Sequence, residues 1–240
     1  MENTISVGMN RTGLDMAPLS KDTLVAFSQE QAGRASQQAG GIDDLRKAVA
    51  LEADRIGTVP MPARLKGMAS TVMDKLKGAN PEVLIDKLGE RLAFERTGVR
   101  LYEALIVKVS AASSGPVIDI GALQEIRDDE LSHFQLLART LQGIGADPTA
   151  MTPCADVTGV QAAGHLQVLT DPRTTVSQAL SSILQIELGD NASWELLIEL
   201  AQAAGHEDMA QEFQAALATE AHHLELVRGW MREAVMAEAT

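Results

Sequence analysis

Cysteine occurs once in the 240 residues, as Cys154, and that scarcity excludes a disulfide framework, a Cys-x-x-Cys redox pair, a rubredoxin-type iron site and a zinc ribbon. Any bound metal must use other ligands. Aromatic residues are nearly as rare, with four Phe, two Trp and one Tyr, whereas Ala, Leu, Glu and Gln abound, so intrinsic propensity favours helix and rules against an all-β chain. No apolar run approaches the roughly 18 residues of a membrane span, and the first twenty residues have neither a basic region nor an apolar core. A soluble, cytoplasmic protein with no membrane partner is expected. Positive charge thins out along the chain: up to residue 81 ten Lys and Arg face nine Asp and Glu, but beyond it ten face twenty-four, for a net charge of −13. Such a surface repels phosphate backbones and anionic lipid, so no nucleic-acid partner is expected either.

With 45% hydrophobic residues, the chain can bury a core for one domain and an appendage. Residues 1–80 read as the appendage: an aperiodic tail over 1–20, then short helices at about 21–33, 43–56 and 63–78 packing on the main body. Gly40-Gly41 and Pro60-Met61-Pro62 separate them. Asn80 and Pro81 mark the start of the main domain, 81–240, as cap and first helical residue.

Four long helical patterns follow, at about 81–111, 118–142, 174–204 and 207–236, each stepping by three and four residues. In the first the inward line runs Leu88, Leu92, Glu95, Val99, Tyr102, Ile106, Val109, and in the second Leu123, Ile126, Glu130, His133, Leu137, Leu141. The third runs Val176, Leu180, Ile183, Glu187, Asp190, Trp194, Leu197, and the fourth Met209, Phe213, Ala216, Glu220, His223, Val227, Trp230. Acids and imidazoles interrupt each apolar stripe. Short turns at 113–116 and at Gly205-His206 make each pair an antiparallel hairpin, and the thirty or so residues between the pairs, 143–173, suit a long crossover with a short helix near 156–169. The predicted fold is thus an all-α four-helix bundle with a helical N-terminal extension.

The two hairpins repeat one another. Glu95-x6-Tyr102-Glu103 matches Glu187-x6-Trp194-Glu195, and Glu130-Leu131-Ser132-His133 matches Glu220-Ala221-His222-His223. Each hairpin therefore offers one carboxylate on its first helix and a Glu-x-x-His pair on its second. Residues i and i+3 share a helix face, so each pair can hold one ion while carboxylates bridge two, about 3.5 to 4 Å apart. Carboxylate with imidazole suits iron or manganese, whereas zinc more often recruits thiolate or a third His. The bland alternative is a set of acids and imidazoles that merely hydrogen-bond one another, but such groups in an apolar seam are costly unless every one is satisfied.

From about residue 82 onward this constellation resembles the ferritin-like superfamily of di-iron carboxylate proteins, especially its bacterioferritin and rubrerythrin branches; it is also the general description of di-metal bundles. The resemblance implies Glu95, Glu130, His133, Glu187, Glu220 and His223 as metal ligands. Asp190, one turn after Glu187, resembles the extra acid of a rubrerythrin-type site, although an Asp beside Asn191 could equally be solvated. The family's acid before the Glu of helix two falls on Asp129, which would hydrogen-bond the outer ring nitrogen of His223. Thr219 replaces the equivalent acid before Glu220, so His133 must turn to Thr219, water or a carbonyl.

The resemblance further implies two Fe ions, or Fe/Mn or Mn/Mn, and an oxidoreductase reacting with O2 or peroxide, supplied with electrons by an external donor or by Fe(II) itself. An iron-storage protein, or a non-enzymatic protein with a structural metal pair, is the alternative. The N-terminal extension disfavours a cage, so a homodimer is expected. Tyr102 is the candidate catalytic side chain, placed to hydrogen-bond a ligand carboxylate, or else an ordinary core Tyr. Glu103 and Glu195 read as surface acids or site-edge groups, Trp194 and Trp230 as core, His165, His206 and His222 as exposed or capping, and Cys154 as an inert thiol.

Overall fold

The computed structural model describes residues 21–54, 56–60, 80–112 and 117–239. Every element among them is α-helical: α1 Lys21–Glu52, α2 Pro81–Ala111, α3 Ile120–Gly143, α4 Pro153–Thr170, α5 Val176–Ala203 and α6 Glu207–Glu238. No described helix is long and apolar enough to cross a membrane. The chain divides into two compact units, Met1–Arg55 and Ile56–Thr240. The tail at 1–20, the helix expected at 63–78 and the turn at 113–116 lie outside the described residues.

In the first unit α1 is continuous where two helices with a break at Gly40-Gly41 were expected. Glycine costs roughly 1 kcal/mol relative to Ala in a helix interior, a weak penalty that does not by itself end a helix. No helix-stopping proline lies between Lys21 and Glu52.

In the second unit local signals fix most helix starts. Thr175 and Gln178 form a reciprocal capping box at α5, with bonds of 3.2 and 2.9 Å. Thr152 caps α4 with Pro153 following, and the Asp119 carboxylate accepts from the Gly121 N–H at 2.8 Å to start α3. Asn80 does precede Pro81, but its side chain makes no capping bond. Between α5 and α6, Gly205 takes φ +79°, a left-handed conformation that closes the three-residue connection.

Helix α2 packs on α3, α4 and α5, and α5 packs extensively on α6. Two apolar clusters result. One gathers Leu101, Leu105, Leu123, Ile126, Ile183 and Val227, and the other Leu88, Leu92, Leu137, Leu197, Trp194 and Phe213. Along α2 and α6 the second cluster is met before the first, and along α3 and α5 the order reverses, so α2 and α6 run opposite to α3 and α5. Burying each large side chain contributes about 1.5–3 kcal/mol, and Tyr102, Trp194 and Phe213 are wholly enclosed. The inward lines expected for α3 and α5 are all buried. In α2 the buried face instead passes through Gly98, Leu101 and Leu105, leaving Val99 and Ile106 only partly covered, because α4 and α5 claim that side of the helix.

Candidate metal centre

Between the two apolar clusters each of α2, α3, α5 and α6 presents polar groups at the same level. Glu95, Glu130, His133, Glu187, Asp190, Glu220 and His223 are all buried, none more than 7% exposed. The structure brings every one of the seven expected ligands into this slice. Asp190 is fully enclosed, so its solvated alternative is excluded.

Glu220 lies at the centre. Its Oε1 is 2.6 Å from His133 Nδ1, off the hydrogen-bonding direction, and its Oε2 is 3.1 Å from His223 Nδ1. His133 Nδ1 also lies 3.9 Å from Glu95 Oε2, and His223 Nδ1 lies 4.0 Å from Glu130 Oε1. Three sets of donor atoms come within ion-binding reach of one another: Glu95, His133 and Glu220; Glu130, Glu220 and His223; and Glu95, Glu130, Asp190 and Glu220. The first two sets each join a Glu-x-x-His imidazole to Glu220, which belongs to all three.

Supporting contacts hold the ligands. His223 Nε2 is 3.2 Å from Asp129 Oδ2, which leaves Nδ1 directed inward. The Thr219 hydroxyl instead donates to the Ala215 carbonyl at 3.3 Å, and His133 packs edge-on against Trp194 with centroids 5.6 Å apart. Tyr102 donates its hydroxyl proton to Glu187 Oε1. Asn191 Nδ2 bridges the backbone carbonyls of Glu187 and Glu220 at 3.0 and 3.1 Å, tying α5 to α6 at the site.

Two functional residues carry no obvious sequence signal. Arg91 is 2% exposed and donates from Nη2 to both Glu95 Oε1 and Asp190 Oδ1, with its guanidinium over the Phe94 ring at 4.3 Å. A Cβ at Gly98 would lie 2.0 Å from Glu130 Oε2, so the Glu130 carboxylate occupies space that only glycine leaves open.

The donor set fits a metal pair. Buried atoms without a hydrogen-bond partner include Glu95 Oε2, both Glu130 oxygens, Glu187 Oε2, Asp190 Oδ2, Glu220 Oε1 and His133 Nδ1. A satisfied hydrogen-bond network, the bland alternative, would not leave them so. Five carboxylates offset by one guanidinium leave four negative charges when all are ionised, the complement of two divalent cations.

Without cations, protons take their place. Burial raises Glu130 and Asp190 far above the carboxylate range and raises Glu95 too, with Arg91 restraining Asp190 and Glu95 only in part. Burial and the nearby Glu220 charge push Glu187 up to about 8. Burial alone would also raise Glu220, but the two imidazoles beside it hold it at about 2. Burial would lower His223, yet its contacts with Glu220, Glu187 and Asp129 raise it to about 9.

The proton-holding groups predict that metal binding releases protons. At pH 7 Glu187 and His223 are protonated in the metal-free protein, and each must lose its proton to ligate. Because both native values lie above the unfolded ones, their contribution to metal-free stability is lost as pH rises through about 8 and about 9, while metal affinity rises over the same interval. Calorimetry of Mn(II) binding in buffers of different ionisation enthalpy should register at least two protons released per chain at pH 7, with Glu130, Asp190 and Glu95 adding to Glu187 and His223. Affinity unchanged between pH 7 and 9 would refute this.

Of the remaining expected residues, Glu103, Glu195 and His222 are exposed, and Trp194 and Trp230 are core. His206 occupies the N-cap of α6 without a side-chain capping bond. His165 differs from expectation: it is half-buried, with Nδ1 2.9 Å from Ser182 Oγ, because α4 lies against α5. Burial and the neighbouring Asp86 push the Cys154 thiol up to about 11, which keeps it inert at neutral pH.

Comparison of the chain with protein-family models, with curated proteins and with solved structures finds no match in any of the three.

Proposed function

We propose that the chain is a ferritin-like di-metal carboxylate protein, a four-helix bundle of two antiparallel hairpins with one long crossover, and that it is an oxidoreductase acting on O2 or peroxide. The observation that carries this reading is the buried slice in which two repeat-related Glu-x-x-His pairs meet Glu95 and Asp190 in overlapping donor sets, with Glu187 buried outside those sets, and in which most of the carboxylates keep an oxygen without a hydrogen-bond partner. Two Fe ions, or an Fe/Mn or Mn/Mn pair, supply the redox chemistry when bound. Electrons come from Fe(II) itself or from an external donor, and a homodimer is the proposed assembly.

The protein's own groups have distinct tasks. Glu220, ionised and placed between both imidazoles, would be the ligand common to both ions. Asp129 fixes the His223 ring so that Nδ1 faces the ligands. Tyr102 orients Glu187, and burial together with the Glu187 charge raises its phenol, so it retains its proton as a hydrogen-bond donor. The apolar clusters on either side exclude water and strengthen each electrostatic contact.

The test is metal analysis of protein purified without chelator, then anaerobic Fe(II) loading and exposure to O2 or peroxide with optical and rapid-mixing detection of Fe(II) oxidation. Oxidation of two bound ions per chain supports the reading; uptake of hundreds of irons by a large particle would favour storage, and binding without turnover a structural pair.

Three variants probe the arrangement. Asp129→Asn should weaken the ion held by Glu220 and His223 by roughly 10 to 100-fold, whereas Thr219→Ala, whose hydroxyl contacts only its own helix, should leave both positions nearly unchanged. Fe(II) titration of each separates them. Gly98→Ala should displace the Glu130 carboxylate and lower metal-dependent turnover by roughly 100-fold, the typical effect of an ångström-scale misplacement, with helical content retained. Turnover equal to wild type would contradict the placement of Glu130.

A further inference from the structure

Helix α4 does more than connect the hairpins. Where it covers the groove between α2 and α5 it bounds a cavity of about 370 Å³ that opens to solvent past Gln161, Gln185 and Gly189, within the size range of small-molecule sites. Phe94, Leu101, Ala162 and Ile186 give it an apolar body. Thr97, Thr158, Gln161, Gln185 and His165 add polar groups, and no charged side chain lines it among the described residues.

The cavity backs onto the metal centre. Phe94, Leu101 and Ile186 adjoin Glu95, Tyr102 and Glu187 in sequence, and Gly98, which contributes to the cavity wall, is the residue whose missing Cβ makes room for the Glu130 carboxylate. Only the width of one helix backbone separates the two at that point.

His165 sets the polarity. Its Nδ1 lies 2.9 Å from Ser182 Oγ, and the buried Ser182 hydroxyl has no other partner among the described residues, so that hydroxyl donates and Nε2 carries the ring proton. Nε2 has no described partner and is a donor open to a ligand, beside the amides of Gln161 and Gln185. An anion would find no cation here, and a cation would find no carboxylate.

We propose that this cavity binds a neutral organic molecule with an apolar body and one hydrogen-bond acceptor, seated on His165 Nε2 and held beside the metal centre. Binding itself depends only on the cavity; the further step of calling the molecule a substrate rests on the oxidoreductase reading above.

Benzyl alcohol is the test probe, titrated into the full-length metal-free protein and followed by backbone amide NMR. Saturable shifts confined to α2, α4 and α5 are expected, with benzoate and benzylammonium at least roughly tenfold weaker, since each would bury an unpaired charge. Gly189 lies at the exposed rim of the cavity and a Cβ there meets no atom within 4 Å, so Gly189→Leu should be accommodated and crowd the mouth, weakening binding at least roughly tenfold. His165→Leu, which removes one hydrogen bond, should weaken it by roughly two- to tenfold, and unchanged affinity would remove His165 from the site. Absence of saturable binding to the wild type, equal binding of the charged analogues, or wild-type affinity in Gly189→Leu would overturn the proposal. Should Gly189→Leu fail to fold, the charged analogues and His165→Leu decide alone. Fe(II) stoichiometry on the same wild-type sample keeps the readings apart: probe binding without Fe(II) uptake overturns the metal centre and leaves the cavity, while Fe(II) uptake without probe binding does the reverse.

Discussion

Replacing Arg91 by Met should lower the stability of the metal-free protein by roughly 3–5 kcal/mol, the cost of breaking a buried ion pair from one side. For a chain of this size that is on the order of 10 °C in Tm. Among the described residues Arg91 is the one Lys or Arg paired with Glu95 and Asp190, and its guanidinium lies against the Phe94 and Trp194 rings. Met retains much of the packing but none of the charge. The freed carboxylates can take up protons, so the loss should shrink as pH falls. Bound divalent cations supply the missing charge, so it should also shrink on loading with Mn(II). Thermal melts at two pH values, with and without metal, check all three statements; an equal loss under every condition would mean that Arg91 acts through packing alone.

The second large effect is expected at Glu220, the residue common to every donor set. Glu220→Gln should abolish binding at both positions, by roughly 100-fold or more, beyond the range of substitutions outside the ligand set. Glu103→Gln, at an exposed position of the same repeat, should bind metal as the wild type does. Anaerobic Fe(II) titration of the two variants side by side is the measurement. Retention of one full-affinity ion by Glu220→Gln would remove Glu220 from its shared role.

How much of this was legible in the sequence follows from what local patterns encode. The four long helices were, because a three-and-four spacing of apolar residues states which face is buried. The acids and imidazoles that interrupt those stripes could be placed at one level because the repeat aligns them. Arg91 could not: a basic residue four before Glu95 reads as an ordinary pair on a helix surface, and only Asp190, 99 residues further on, turns it inward. Gly98 gave no warning either, since its value lies in a carboxylate arriving from another helix. The cavity beside His165 depends on where α4 lies, and weak amphipathicity in Pro153–Thr170 leaves that placement to tertiary packing. Gly40-Gly41 erred the other way, as a local break signal that the surrounding helix formers override.

Two metal ions buried between the helices can be counted. Anaerobic titration of the metal-free chain with Fe(II) or Mn(II), with bound metal measured by elemental analysis and thermal melts at each point, should reach two ions per chain. Tm should rise until that stoichiometry is met, because the cations relieve the repulsion among Glu95, Glu130, Glu187, Asp190 and Glu220. A plateau below one ion per chain, or a Tm that does not move with saturating metal, would contradict the account.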